Sequence, residues 1–167
     1  MQQTLKYPIG KQNFRDIIEG GYLYVDKTEY IWRLVSTGSY YFLSRPRRFG
    51  KSLFLSTIEE YFSGSKELFQ GLKISEYEKD WIQYPVIHIY LNAQKYSYTA
   101  SLEFTINRQL CDFASKVDYQ LSDEGSAADK FIELIKNTVK IPQQLSKTRL
   151  RQRRLPKRPL CFNVYAV

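Results

Sequence analysis

The sequence predicts an α/β fold in which a parallel sheet is flanked by helices. Three observations predict it. Two nearly continuous apolar runs, YYFLS (40–44) and VIHIYL (86–91), read as strands buried on both faces. Segments with apolar residues at helical spacing alternate with them, and such alternation favours a parallel layer fold. A Gly-Lys-Ser triplet, 50–52, stands where the first run passes into a helical segment.

The elements follow in chain order. NFRDIIE (13–19) predicts a short helix, with Asn13 as its N-cap. YLYV (22–25) is aromatic and β-branched, and predicts a short strand. Asp26 is placed to cap a helix over TEYIWRLV (28–35), which puts Ile31, Leu34 and Val35 on one face and stops at Gly38. After the 40–44 strand and the segment RPRRFGKS (45–52), LFLSTIEEYF (53–62) predicts a helix with Leu55, Ile58, Tyr61 and Phe62 in step. Residues 65–85 read as polar and irregular, with one helical turn at SKELF. Two amphipathic helices, 102–117 and 127–140, complete the pattern. The first carries Leu102, Ile106, Leu110 and Phe113, and the second Phe131, Leu134, Ile135 and Val139.

At 140/141 the character changes, and a boundary is placed there. Residues 141–167 hold seven lysines and arginines and no acid, and sustain no period. Of the net charge of +8, residues 1–140 carry only +1, with 18 basic against 17 acidic residues. The basicity belongs to the tail, so a nucleic-acid partner is an expectation about the tail and not the body. The apolar content of 43% excludes wholesale disorder. The apolar runs are too short to span a membrane. The opening MQQTLKYPIG has no secretory apolar core, and Cys111 and Cys161 do not make a disulfide framework. A reducing, cytoplasmic setting is therefore expected.

The triplet is the sharpest chemical signal. A phosphate loop has the pattern GxxxxGK[ST] between a strand and a helix. Backbone N–H groups and the helix N-terminus then cradle phosphate oxygens. Gly50 would let the backbone approach the phosphates without a side chain between. Lys51 would reach the β- and γ-phosphates, and the Ser52 hydroxyl would hold Mg²⁺. The expected nucleotide contacts are Arg47, Arg48, Phe49, Gly50, Lys51, Ser52 and Leu53, with ATP and Mg²⁺ as cofactors. The first glycine of the pattern is replaced by Arg45. A residue before proline prefers extended geometry, so the strand is expected to run through Arg45 and the turn to open at Pro46.

These residues resemble a family. The phrases Tyr24-Val25-Asp26-Lys27-Thr28 and Phe42-Leu43-Ser44-Arg45-Pro46-Arg47-Arg48-Phe49-Gly50-Lys51-Ser52 look like the AAA-ATPase-like domain of bacterial ATPase/nuclease-type proteins. LNAQKY (91–96) resembles the exit of that family's second strand. The resemblance covers about residues 5–140 and implies a P-loop NTPase-like sheet in which Arg45 belongs to a variant loop. It also implies a further nuclease-like domain of the PD-(D/E)XK type, for which this chain is too short.

A P-loop ATPase needs a second strand ending in an acid to hold the Mg²⁺ shell and position water. VIHIYL ends at Asn92, a neutral residue. The resemblance places the acidic strand shortly after the helix ending near Lys140, where the acid-free tail stands. The expectation is thus an incomplete fold, truncated before the acidic strand, that binds nucleotide without turning it over. The tail is read as an out-of-frame product, with a genuine basic tail as the alternative. A nucleic-acid-binding module, or a non-functional fragment of a larger ATPase–nuclease protein, are the competing functions.

Other chemistry-bearing residues have simpler readings. His88 is a packed strand residue, and Cys111 is core. Asp26, Lys27 and Thr28 lie near the nucleotide by the resemblance, but a helix cap explains Asp26 equally well.

Overall fold

The computed structural model describes residues 6–37, 41–46, 48–91, 99–122, 124–138 and 162–164. The described residues form two compact units that divide between Tyr84 and Pro85. The boundary expected at 140/141 lies outside them, as do LNAQKY beyond Leu91 and all of the basic tail except Phe162–Val164.

The first unit is helical. Helix α1 spans Phe14–Glu19, and the Asn13 side chain accepts from the Asp16 amide as the expected N-cap. Helix α2 spans Thr28–Thr37, with Ile31 and Val35 buried and Leu34 half-buried. Helix α3 spans Lys51–Phe62, beginning two residues before the periodic pattern indicates. A 3₁₀ turn at Lys66–Phe69 and the short helix α4, Ile74–Tyr77, follow.

Residues 65–85 are not an irregular surface. Phe69 and Ile74 are fully buried. Phe69 packs its ring against Phe14 (centroids 4.9 Å) and Trp81 (5.1 Å), so this segment closes the core over α1 and α3. Buried aromatic pairs of this kind add roughly 0.5–1.5 kcal/mol each beyond their area. Beside them the buried Glu78 carboxylate accepts from the Tyr61 hydroxyl (2.7 Å) and from the Lys79 and Asp80 amides (2.9 Å each). Three donors satisfy a charge that would otherwise be costly to bury.

The expected strand at 22–25 is reduced to one parallel bridge, Lys6 with Tyr22. Residues 41–46 carry no strand, and Phe42 is 83% exposed. A strand exists only through its ladder partner, and no partner for 41–46 lies among the described residues. An apolar run alone does not supply one.

The second unit pairs a short strand with two helices. Strand β1 is His88–Tyr90, shorter than the expected 86–91. Helices α5, Thr99–Lys116, and α6, Ala127–Thr138, pack together. Strand β2, Phe162–Val164, lies parallel to β1, with Ile89 opposite Asn163. The core is Ile87, Ile89, Leu110, Ala114 and Leu134. Cys111, expected in the core, is exposed. Leu110 and Ala114 take the inner face of α5, and the next residue points about 100° away.

On the other edge of β1, the Gln109 side chain replaces a strand. Its Oε1 accepts from the Tyr90 amide (2.7 Å), and its Nε2 donates to the Tyr90 carbonyl (2.8 Å). One amide side chain thus satisfies both backbone groups that an edge residue leaves open.

Candidate phosphate-loop site

The loop enters α3 through two left-handed residues. The Phe49 amide donates to the Pro46 carbonyl (3.4 Å), so the turn opens at Pro46. Arg48 has φ 67° and Gly50 has φ 73°, ψ 24°. A side chain at left-handed φ costs about 1–2 kcal/mol, which Gly50 avoids and Arg48 does not. Among the described residues, a Cβ built on Gly50 would meet nothing within 4 Å, so they leave open space in front of the loop backbone. Phe49 is 63% exposed beside it.

Helix α3 begins at Lys51, which puts Lys51, Ser52 and Leu53 in its first turn. The Phe54 amide donates to the Gly50 carbonyl (2.9 Å) and is the first that the helix itself satisfies. The amides of residues 51–53 therefore have no intrahelical acceptor, as at every helix start. Ser52 is exposed, and Lys51 and Leu53 are half-buried. Arg45, Arg48 and Lys51 form no ion pair among the described residues. Cations without acids, open amides and an absent Cβ make a donor set that fits a polyphosphate. Arg47, expected among the contacts, lies outside the described residues.

Asp26, Lys27 and Thr28 are placed by other bonds. Asp26 Oδ1 accepts from the Thr28 amide (2.8 Å) and the Thr28 hydroxyl (2.7 Å). Its Oδ2 accepts from the Lys73 amide (2.8 Å), and the buried Thr28 hydroxyl accepts from the Ile74 amide (3.1 Å). Asp26 and Thr28 therefore clasp α2 to the start of α4. Burial pushes the Asp26 carboxyl up. The hydrogen bonds from Lys73 and Thr28, with the Lys73 charge, outweigh that and hold it below the usual range. Tyr24 of the same phrase stands edge-on to Phe14 (5.1 Å), and burial raises its hydroxyl above the ordinary value. Lys27 is exposed.

His88 lies in β1, stacked on Tyr90 with ring centroids 3.9 Å apart. Among the described residues no three His, Cys, Asp or Glu side chains gather to hold a metal ion. No helix there is long and apolar enough to cross a membrane.

The chain belongs to the AAA-ATPase-like family, described as predicted AAA-ATPase, whose pattern matches residues 8–145. It is also similar to a protein of Azotobacter chroococcum mcd 1 named "Uncharacterized protein in vnfD 5'region". The two are 52% identical over 86 residues, half of this chain. The chain spans 16% of that relative's length. No solved structure matches it.

Proposed function

We propose that this chain binds ATP with Mg²⁺ through the variant phosphate loop RPRRFGKS. The observation that carries the reading is Gly50. It is left-handed, faces open space, and immediately precedes a helix whose first turn holds Lys51 and Ser52. Lys51 would contact the β- and γ-phosphates, and the amides of Gly50 to Leu53 would donate to phosphate oxygens. Arg47 and Arg48 would add positive charge for the phosphates, and the exposed Phe49 ring would contribute apolar contact. Ser52 would hold Mg²⁺, which neutralises charge between the β- and γ-phosphates when bound.

The fold in this reading is a P-loop NTPase-like sheet without its acidic strand. The parallel order of β1 and β2 supports the sheet type. Family membership supports a nucleotide partner, and a cytoplasmic setting belongs to the same proposal. A nuclease-like continuation, as in the family it resembles, is a proposal about longer members.

The test is thermal unfolding with and without MgATP. At 100 times its Kd, the nucleotide should stabilise the fold by about 2.7 kcal/mol. For a chain of this size that is a rise of roughly 5–10 °C. Lys51→Ala should abolish it. No shift in the wild type, or an equal shift in Lys51→Ala, would sink the reading.

A second reading, nucleic-acid binding by the tail, is favoured by the charge distribution alone. It requires DNA affinity that falls steeply with salt and is lost on truncation after Lys140. Equal affinity in the truncated chain would reject it.

A further inference from the structure

We propose that Ser56 is a positioning residue for the phosphate loop: it ties α3 to α1 and so fixes the orientation in which Ser52 is presented. The proposal rests on the nucleotide reading above.

Ser52, Ser56 and Glu60 recur every four residues along α3, and so share one side of the helix. The two lower rungs of this polar stripe are gripped by consecutive residues of α1. Ser56 Oγ accepts from the Phe14 amide (3.0 Å). Glu60 receives a two-pronged contact from Arg15, Nε to Oε1 at 3.0 Å and Nη2 to Oε2 at 2.7 Å. The top rung, Ser52, is exposed, and its hydroxyl bonds none of the described residues.

The Ser56 bond also solves a local problem for α1. Phe14 is its first helical residue, and its amide has no intrahelical acceptor. Asn13 caps only the Asp16 amide. A side chain from another helix completes the cap, and the buried Phe14 ring anchors the donor. Serine is a mediocre helix former, so its place in the second turn of α3 has a partner-specific reason. Ser56 lies about 6 Å along the axis from Ser52. A helix moves as a rod over that distance. Any rotation of α3 that breaks the Ser56–Phe14 bond turns Ser52 and the first-turn amides with it.

Coupling of this kind is reciprocal: if the bond favours nucleotide binding, bound nucleotide must strengthen the bond by the same factor. The experiment uses the full chain as wild type, Ser56→Ala, Ser56→Thr and Lys51→Ala. It measures MgATP affinity, and hydrogen exchange at the Phe14 amide with and without MgATP. Ser56→Ala should weaken MgATP about fivefold, equivalent to ~1 kcal/mol, the worth of one hydrogen bond. Ser56→Thr, which keeps the hydroxyl, should restore affinity. Under conditions where the Phe14 amide exchanges by local opening and not through global unfolding, MgATP should slow it about fivefold in the wild type and leave it unchanged in Ser56→Ala. A merely structural bond would not respond to nucleotide.

Lys51-dependent binding that ignores Ser56, with Phe14 exchange indifferent to MgATP, overturns this proposal and leaves the nucleotide reading standing. Binding that does not depend on Lys51 removes both. Should Ser56→Ala fail to fold, the wild-type exchange comparison decides alone.

Discussion

Asp26 offers a quantitative test of how the first unit is held. Its carboxylate takes two donors from Thr28 and one from the Lys73 amide, joining α2 to α4 across nearly fifty residues of chain. Asp26→Ala removes a helix cap, worth about 1 kcal/mol. It also removes a charge-assisted bond to Lys73, worth about 1.5–3 kcal/mol. Asp26 is only half-buried, so water replaces part of what is lost, and the expected total is about 2 kcal/mol. Asp26→Asn keeps an oxygen for Thr28 but sets an amide NH₂ against the Lys73 N–H. It should cost about 1 kcal/mol. Urea unfolding followed by tryptophan fluorescence reads this directly, because Trp81 packs on Phe69 in the core. The sign with pH follows from the depressed carboxyl. The stabilisation is fully present above the unfolded value of about 3.9 and is lost as pH falls through the lower folded value. The wild-type advantage over Asp26→Asn should therefore hold steady from pH 7 to about 5 and shrink below about 4. An Asn variant as stable as the wild type at pH 7, or a difference unchanged at the lowest pH where the fold survives, refutes the reasoning.

Two glycines should lose stability on substitution by alanine for different reasons, and only one should lose nucleotide. Gly20 has an ordinary φ of −77°, but its Cβ would lie 2.7 Å from the Asp16 carbonyl oxygen and 2.4 Å from the Tyr22 ring. Gly20→Ala should lower stability by about 1–3 kcal/mol in urea melts. Gly50→Ala meets no atom and should cost only the left-handed strain of about 1–2 kcal/mol, yet it should remove MgATP stabilisation, because the methyl fills the space in front of the loop. Gln109→Leu strips both partners from Tyr90. It should destabilise the second unit by about 1–2 kcal/mol and raise light scattering as the bared edge associates.

Much of the helical frame is legible in the sequence, and the reasons are local. Asn13 announces α1, the Ile31–Val35 spacing announces the buried face of α2, and Ile106, Leu110 and Phe113 announce the core side of α5, although Ala114 is not read as part of it. The start of α3 was harder to read. Lys51 and Ser52 are polar and break the apolar period, yet they are already helical because Gly50 supplies the left-handed entry. The segment 65–85 hid its role because each element there is four residues long, too short for any period. The signal available was Leu68-Phe69 and Ile74, apolar residues amid polar ones. Among the described residues, the runs at 22–25 and 41–44 form no ladder beyond the Lys6–Tyr22 bridge. Hydrophobicity marks a strand candidate, but pairing depends on distant residues that a local pattern does not contain. The loop itself was legible as chemistry, through Gly50, Lys51 and Ser52. The Ser56–Phe14 tie was not, since nothing in the local pattern links residues 42 apart.

The pairing of β1 with β2 also bears on the order in which the second unit assembles. Helices α5 and α6 are joined by a short link and form contacts between near neighbours in sequence, whereas His88 must find Phe162 across most of the unit. Closing so long a loop costs more chain entropy, so the helical pair should form before β2 docks, an order that pulse-labelled hydrogen exchange would read. During that interval the Gln109 amide, which arrives with α5 rather than with any strand, already holds the Tyr90 backbone of β1. A side chain delivered early by a fast-forming helix thus guards a strand edge during the slowest step of folding, when a newly made chain is most exposed to pairing with its neighbours.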